Sequence, residues 1–147
     1  MMPETLSQDR LQTRVRGLEE HIRAENSHDV NAIMETFAEG GMLVFNGVSL
    51  ADPDRIRMLH EQLGFGDRGG FSDLRVEERQ RYVSEDAIVL EQVVSGRHTG
   101  EWQGIAATGR QIEVPVCTVY KFDAAGRLSS ENVYFDTGSL LKQLGVL

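Results

Sequence analysis

Four strand-like segments in the second half of the chain constrain its fold most. They are residues 74–83, 87–99, 112–122 and 128–135. Short polar turns at 84–86 and 123–126 join them in pairs. Turns of this length connect antiparallel neighbours in a sheet. The sequence therefore predicts two β-hairpins, which supply four antiparallel strands.

Helical patterns come before these strands. Between residues 6 and 28, apolar residues recur every three or four positions, at Leu11, Val15, Leu18 and Ile22. This spacing predicts an amphipathic helix. A second helix is predicted from Asp29 to the glycines at 40–41. A third is predicted to begin at residues 52–54 and to continue through Leu63. With a short strand at 42–46 and a closing helix at 139–144, the order of elements predicts an α+β fold, in which N-terminal helices cover a curved antiparallel sheet.

Length and charge limit the function classes. The 147 residues suit a single domain spanning 1–147. A net charge of −8, with 15 basic residues that form no run, argues against a nucleic acid partner. No apolar stretch approaches the roughly 20 residues that cross a membrane, and no signal peptide is visible. We therefore expect a cytoplasmic protein with no membrane partner, and the single cysteine, Cys117, excludes an internal disulfide.

Residues between Gly96 and Gly145 show a family resemblance. Gly96-Arg97-His98 is followed by Thr99-Gly100, residues 132–136 read Asn-Val-Tyr-Phe-Asp, and Gln143-Leu144-Gly145 ends the last helix. This order resembles the C-terminal half of the SnoaL-like polyketide cyclase family, within the nuclear transport factor 2-like superfold. The resemblance implies a cone-shaped α+β barrel with an interior pocket for an apolar small-molecule ligand. It also implies no cofactor, and a homodimer formed through the sheet face.

The two catalytic positions of the family hold other residues here. The same alignment places the family's aspartate at Val133 and its histidine at Thr118, neither of which can act as a base at neutral pH. One interpretation is a cofactor-independent cyclase or isomerase of natural-product metabolism, acting on an apolar carbonyl-bearing or polycyclic metabolite. The other is a non-catalytic ligand-binding or accessory domain. A third, epoxide hydrolysis or hydroxylation-type chemistry, would need an inward-facing Asp-Arg-Asp-like set to activate water, and the sequence does not supply one.

Glu131 and His98 are the candidate catalytic residues. Side chains alternate along a strand, so with Val133 inward, Glu131 and Phe135 also face the cavity. A carboxyl group in an apolar cavity is expected to have a raised pKa and to exchange protons near neutrality. A solvated Glu131, or one paired with an arginine, is the alternative. For His98, at the end of a long strand, the alternative to substrate contact is a structural hydrogen bond to the loop at 108–109.

The other candidates would bind substrate without transferring protons. The polar ones are Asn46, Thr118 and Tyr120, and the apolar ones are Phe37, Trp102, Val133 and Phe135. Asn46 could instead shape a strand end, and the aromatic residues could simply pack in the core. Asp136 is expected to cap the closing helix. The remaining histidines show no metal-ligand spacing with carboxylates, so no metal is expected.

Overall fold

The computed structural model describes residues 7–147. In chain order the elements are α1 (Gln8–Asn26), α2 (Val30–Glu35), β1 (Phe37–Phe45), β2 (Val48–Leu50), α3 (Pro53–Leu63), β3 (Phe71–Val83), β4 (Ile88–His98), β5 (Gln111–Phe122), β6 (Leu128–Phe135) and α4 (Thr137–Gln143). The six strands form one curved, open sheet in the order β2-β1-β6-β5-β4-β3. β1 and β6 are parallel, and the other neighbours are antiparallel. The predicted α+β fold and both hairpins are confirmed.

Strand β5 shows how the sequence builds the core. Alternate side chains along it are buried, namely Ile112, Val114, Val116, Thr118, Tyr120 and Phe122. The side chains between them are exposed or half-buried. This period of two places one face of the sheet against the helices and leaves the other face outside.

Three aspartates fix the starts of helices. The side chain of Asp29 accepts a hydrogen bond from the Ala32 amide at α2, and Asp52 does the same for Asp54 at α3. Asp136 accepts from the Gly138 amide at α4. These bonds satisfy backbone donors that the first helical turn leaves free. The predicted capping role of Asp136 is confirmed.

The second helix is shorter than predicted. It ends at Glu35, and Phe37 already pairs with Leu128 at the start of β1. The Leu128 amide donates to the Thr36 carbonyl at 2.8 Å. Pairing with β6 gives this segment partners for its backbone groups, and that tertiary gain outweighs its local helical pattern. The prediction that the helix continues to the glycines at 40–41 is therefore wrong.

The outer face of the sheet carries half-buried valines, including Val89, Val93 and Val119. Tyr134 is exposed beside them. The expected homodimer through this face stays a prediction. Among the described residues, no helix combines the length and the apolar character needed to cross a membrane.

Asn26, at the end of α1, binds the edge strand β3 through its side chain. Its Nδ2 donates to the Val76 carbonyl at 3.0 Å, and its Oδ1 accepts from the Val76 amide at 2.8 Å. We expect Asn26→Ala to lower the free energy of unfolding by about 2 kcal/mol, because both backbone groups lose a partner. Urea denaturation measures the loss. The control is Asn31→Ala, which alters an exposed residue of α2 and should cost less than about 0.5 kcal/mol; equal losses in the two variants would contradict the assignment.

Candidate active site

One cavity of about 90 Å³ lies inside the curved sheet. Side chains from α1, α3, α4 and five strands line it. Most of them are apolar, and the polar ones are Glu25, His60, Gln92, Thr118, Tyr120 and Glu131. An apolar wall with a few convergent polar groups is the usual form of a small-molecule site.

His21 lies behind these polar groups and is fully buried. Its Nδ1 is 2.7 Å from Thr36 Oγ1, and the Thr36 hydroxyl donates to the Ile33 carbonyl at 2.6 Å. Because the hydroxyl proton is already used, Thr36 Oγ1 accepts from the Nδ1–H of His21. The other nitrogen of His21, Nε2, lies 3.3 Å from Glu131 Oε2 and 3.7 Å from Glu25 Oε1. These three residues form the Glu25–His21–Glu131 cluster.

Burial and the electrostatic interactions within the cluster decide which of its members are charged. Burial opposes a charged imidazole, but the Glu131 and Glu25 carboxylates raise the pKa of His21 to about 9. Burial likewise opposes a charged Glu131, yet contact with His21 keeps the pKa of Glu131 below its ordinary value. Burial raises the pKa of Glu25 to about 8, against the attraction of His21 and with the help of Glu131. At pH 7 the cluster therefore holds a protonated Glu25, a cationic His21 and an anionic Glu131.

The low pKa of Glu131 differs from the expectation that an apolar cavity raises it. Glu131 does face the cavity and is only 4% exposed, but the sequence did not reveal its buried cationic partner. That partner is His21 of α1, and not an arginine. The ion pair reverses the sign of the shift.

His60 of α3 is the second histidine at this end of the cavity. Its Nδ1–H donates to the Ile56 carbonyl at 2.8 Å, which leaves Nε2 as the nitrogen with a free lone pair. Burial lowers the pKa of His60, and the positive charge of His21 lowers it further. The Glu131 carboxylate and the bond to Ile56 act in the opposite direction, but their effect is smaller. His60 is therefore neutral at pH 7.

A divalent cation could also be held here. His21, His60 and Glu131 each offer one donor atom, and these atoms lie within 4.8 Å of one another. Two histidines and a carboxylate are a common ligand set for zinc or iron. The charges of the Glu25–His21–Glu131 cluster already balance without a cation, and a chelation experiment distinguishes the two states.

A short hydrogen-bonded chain orients Tyr120. The Thr118 hydroxyl donates to Gln92 Oε1 at 2.9 Å, and Gln92 Nε2 donates to the Tyr120 hydroxyl oxygen at 3.3 Å. Burial raises the pKa of Tyr120 well above its ordinary value, and the Glu131 and Glu25 carboxyls add to the effect. Tyr120 therefore keeps its proton and can donate it in a hydrogen bond to a ligand oxygen.

Six of the residues predicted from the sequence lie in the cavity wall. They are Trp102, Thr118, Tyr120, Glu131, Val133 and Phe135. For the three residues on β6, strand alternation predicted that they face the cavity, because residues two apart on a strand share a face. Sequence analysis missed Glu25, His60 and Gln92 in the wall, and His21 behind it.

His98, Asn46 and Phe37 lie outside the wall, contrary to expectation. The Thr108 amide donates to His98 Nδ1 at 3.1 Å, so His98 holds the loop after β4. This bond is the structural role that was the alternative to substrate contact. Asn46 is exposed, and its Nδ2 donates to Thr137 Oγ1 at 2.9 Å at the start of α4. The Phe37 ring packs on the His21 ring, 5.6 Å between centroids, because β1 begins earlier than predicted.

Trp102 is held in the wall by a tightly packed loop. Its amide and carbonyl bond with the carbonyl and amide of Ile105 at 3.0 and 2.9 Å. A Cβ on Gly70 would lie 2.9 Å from the Trp102 Cβ, so only glycine fits at that position. The indole packs beside Phe71, with 5.9 Å between ring centroids. The loop thus fixes Trp102 as one side of the cavity.

Comparison with known proteins supports the fold and gives the family. The family model of the SnoaL-like polyketide cyclases matches residues 14–144. No protein of curated function matches the chain in sequence. A protein from Jannaschia sp. CCS1, assigned as a SnoaL-like polyketide cyclase, superposes with a TM-score of 0.82 at 16% identity, covering 99% of both chains.

Two further solved structures share the fold. TsrD from Streptomyces laurentii has a TM-score of 0.78 at 21% identity, over 97% of this chain and 99% of that one. An LEH-like epoxide hydrolase from M. tuberculosis has a TM-score of 0.69 at 17% identity, over 91% of this chain and 90% of that one. At these identities the likeness concerns the fold alone.

Proposed function

Because the chain belongs to the SnoaL-like polyketide cyclase family, we propose that it is a cofactor-independent enzyme of the cyclase or isomerase type. Its substrate would be an apolar metabolite with a carbonyl group. The observation that carries this proposal is the apolar cavity at whose wall Glu25, His60 and Glu131 meet beside Tyr120. Burying ionisable groups costs free energy, and binding an apolar ligand would not require it.

Each polar group has a task in such a reaction. Removing a proton from the carbon beside a carbonyl puts negative charge on the oxygen. Tyr120 and the protonated Glu25 can donate hydrogen bonds to that oxygen, and the anionic Glu131 can stabilise positive charge on the base. The apolar walls, Trp102 and Phe135 among them, hold the substrate in one orientation.

The size of the cavity favours a compact substrate. Its volume of about 90 Å³ is smaller than the roughly 150 Å³ of an engineered apolar cavity that binds benzene in another protein. By this comparison a single ring already needs the walls to give slightly, and a ligand of several rings would need them to move far apart. Compact cyclic ketones are therefore preferred over polycyclic compounds as first substrates.

Proton exchange provides a test that needs no knowledge of the natural substrate. The wild-type protein is incubated in D₂O with a panel of compact cyclic ketones, and NMR follows loss of the hydrogens beside the carbonyl. We expect catalysed exchange that persists after treatment with EDTA. If ketones raise the melting temperature but do not exchange, the protein is a binding domain and the proposed enzyme is excluded.

Epoxide opening is a second candidate, favoured by one observation. The Glu25–His21–Glu131 cluster places two carboxyl groups beside one cation, at 3.7 Å (Glu25) and 3.3 Å (Glu131) from His21 Nε2. Glu25 could protonate the epoxide oxygen while Glu131 accepts a proton from the attacking water, giving a diol. One protein of similar fold is an LEH-like epoxide hydrolase. Diol formation from compact apolar epoxides, without ketone exchange, would select this candidate.

Tyr120→Phe tests the proposed donor to the substrate oxygen. We expect the exchange rate to fall about 100-fold, because the variant loses one donor to the developing oxyanion and keeps the ring. Tyr134→Phe is the matched control, since Tyr134 is exposed on the other face of the sheet. An equal rate in wild type and Tyr120→Phe would remove Tyr120 from the mechanism.

A further inference from the structure

We propose that His60 is the catalytic base of this site and that its Nε2 takes the proton from the carbon beside the substrate carbonyl. This inference rests on the proposed function and deepens it, because it names the group that performs the first chemical step. The sequence does not single out His60, and neither catalytic position of the family corresponds to it.

The surroundings of His60 fix both its orientation and its tautomer. It is 2% exposed and lines the cavity. The 2.8 Å bond from Nδ1 to the Ile56 carbonyl anchors one nitrogen to the backbone of its own helix. Phe37 and Phe65 pack on the ring, with centroids 6.1 and 6.0 Å away. A lone pair on Nε2 is thus held ready beside the cavity.

The other ionisable groups at this end are less suited to accept a proton. Glu131 lies 3.3 Å from the His21 cation, an ion pair that weakens it as a base. His21 is not part of the cavity wall, and its two nitrogens face Thr36 and the two carboxyl groups. Glu25 lies 3.7 Å from the same nitrogen of His21. Among the described residues that line the cavity, His60 is the one histidine, and its Nε2 is uncommitted because Nδ1 is bonded to the Ile56 carbonyl.

The neighbours of His60 suit it to gain and lose a proton. Glu131 and His21 are the charged groups that face it, with donor atoms of all three residues within 4.8 Å. When Nε2 takes the proton, the anionic Glu131 stabilises the new imidazolium, while the charge of His21 keeps that state short-lived.

The protons and electrons of the reaction balance within the site. The carbon–hydrogen bond breaks, its proton goes to His60 Nε2, and its electron pair forms the enolate. The enolate oxygen accepts hydrogen bonds from Glu25 and Tyr120. His60 then exchanges this proton for a deuteron of the solvent and returns the deuteron to the same carbon, which gives exchange in D₂O, or it returns the proton to another carbon of a conjugated substrate, which gives an isomer. No oxidant, reductant or co-reactant is consumed.

Two variants of His60 and one control test this role. His60→Ala leaves room for an added base, and His60→Gln keeps a polar side chain of similar size. We expect ketone exchange to fall at least 100-fold in both, and added imidazole to restore part of it in His60→Ala only. His28→Asn is the control, because His28 binds the Leu74 carbonyl and its φ of 56° suits asparagine. Circular dichroism confirms that each variant is folded.

Each other outcome overturns the inference. Exchange that persists in both His60 variants contradicts the role of His60 but leaves the proposed function intact. Absence of exchange in the wild-type protein across the panel contradicts both. Bound metal in the wild-type protein, with exchange lost on adding EDTA and no rescue by imidazole, would make His60 a metal ligand instead of a base. Metal content is measured by inductively coupled plasma mass spectrometry on the same samples.

Discussion

Raising the pH from 6 to 9 is expected to lower the free energy of unfolding by at least about 3 kcal/mol. The pKa of His21 is 6.5 in an exposed chain and about 9 in the folded protein, and the pKa of Glu25 rises from 4.5 to about 8. The folded protein therefore binds both protons more tightly than the unfolded chain does. The resulting stabilisation is complete below the unfolded pKa values and is lost as the pH rises through 8 and 9. His21 alone accounts for about 3 kcal/mol, at roughly 1.4 kcal/mol for each pKa unit.

Glu131 does not oppose this trend in the same pH range. Its pKa lies below the ordinary value of 4.5, so its contribution to stability is present above that pH and is lost only in acid. Urea denaturation at pH 6, 7, 8 and 9 measures the predicted decline.

Glu25→Gln tests the origin of the decline, because an amide imitates the protonated carboxyl group and cannot ionise. We expect the variant to be more stable than the wild type already at pH 6, because Glu25 of the unfolded wild type ionises above its pKa of 4.5, and we expect the difference to grow as the pH rises to 8. Glu20→Gln, on the exposed side of the same helix, should follow the wild-type curve throughout. A Glu25→Gln curve that declines in parallel with the wild type would show that Glu25 does not carry a raised pKa.

The face of each strand was predictable from the sequence, because the two sides of a sheet differ in burial. Placing Val133 inward was enough to bring Glu131 and Phe135 to the cavity. The same rule works along β5, where Thr118 and Tyr120 are buried among apolar residues. Strand alternation carries this information locally, so no long-range contact had to be known.

The partners of Glu131 depended on contacts between distant segments. His21 and Glu25 lie three and seven residues after Leu18, so both continue the apolar stripe of α1. Polar residues on a buried stripe are a signal that could have identified them. Tertiary packing decides which turn of α1 meets β6. Without knowing that His21 contacts Glu131, the sign of the Glu131 pKa shift could not be predicted.

Position at the end of a strand was a poor guide to the role of two residues. His98 matches a family position, but local hydrogen bonds commit it to the loop that carries Trp102. Asn46 adopts a left-handed φ of 49° just after β1, which turns its amide toward α4. In both cases loop geometry directs the side chain, and a sequence pattern specifies loop geometry less firmly than strand alternation.

Glu131→Gln is expected to reduce ketone exchange by about 100-fold to 1,000-fold while the fold is kept. Glutamine has nearly the same shape but no charge, so the variant removes the anion that faces both His21 and His60. The imidazolium formed during proton transfer then lacks its counter-charge. The pKa of His21 should also fall from about 9, because burial opposes its charge and Glu131 is the main opposing influence.

Two readouts on the same protein separate catalysis from structure. NMR titration gives the pKa of His21, and the exchange assay gives the rate, while Glu113→Gln on the exposed side of β5 serves as the control for both. A pKa for His21 that stays near 9 would show that the ion pair with Glu131 is absent. A lowered pKa with an unchanged exchange rate would show that the ion pair exists but that its charge plays no part in proton transfer. Only a joint fall of pKa and rate fits a carboxylate that both holds His21 charged and stabilises the charged base.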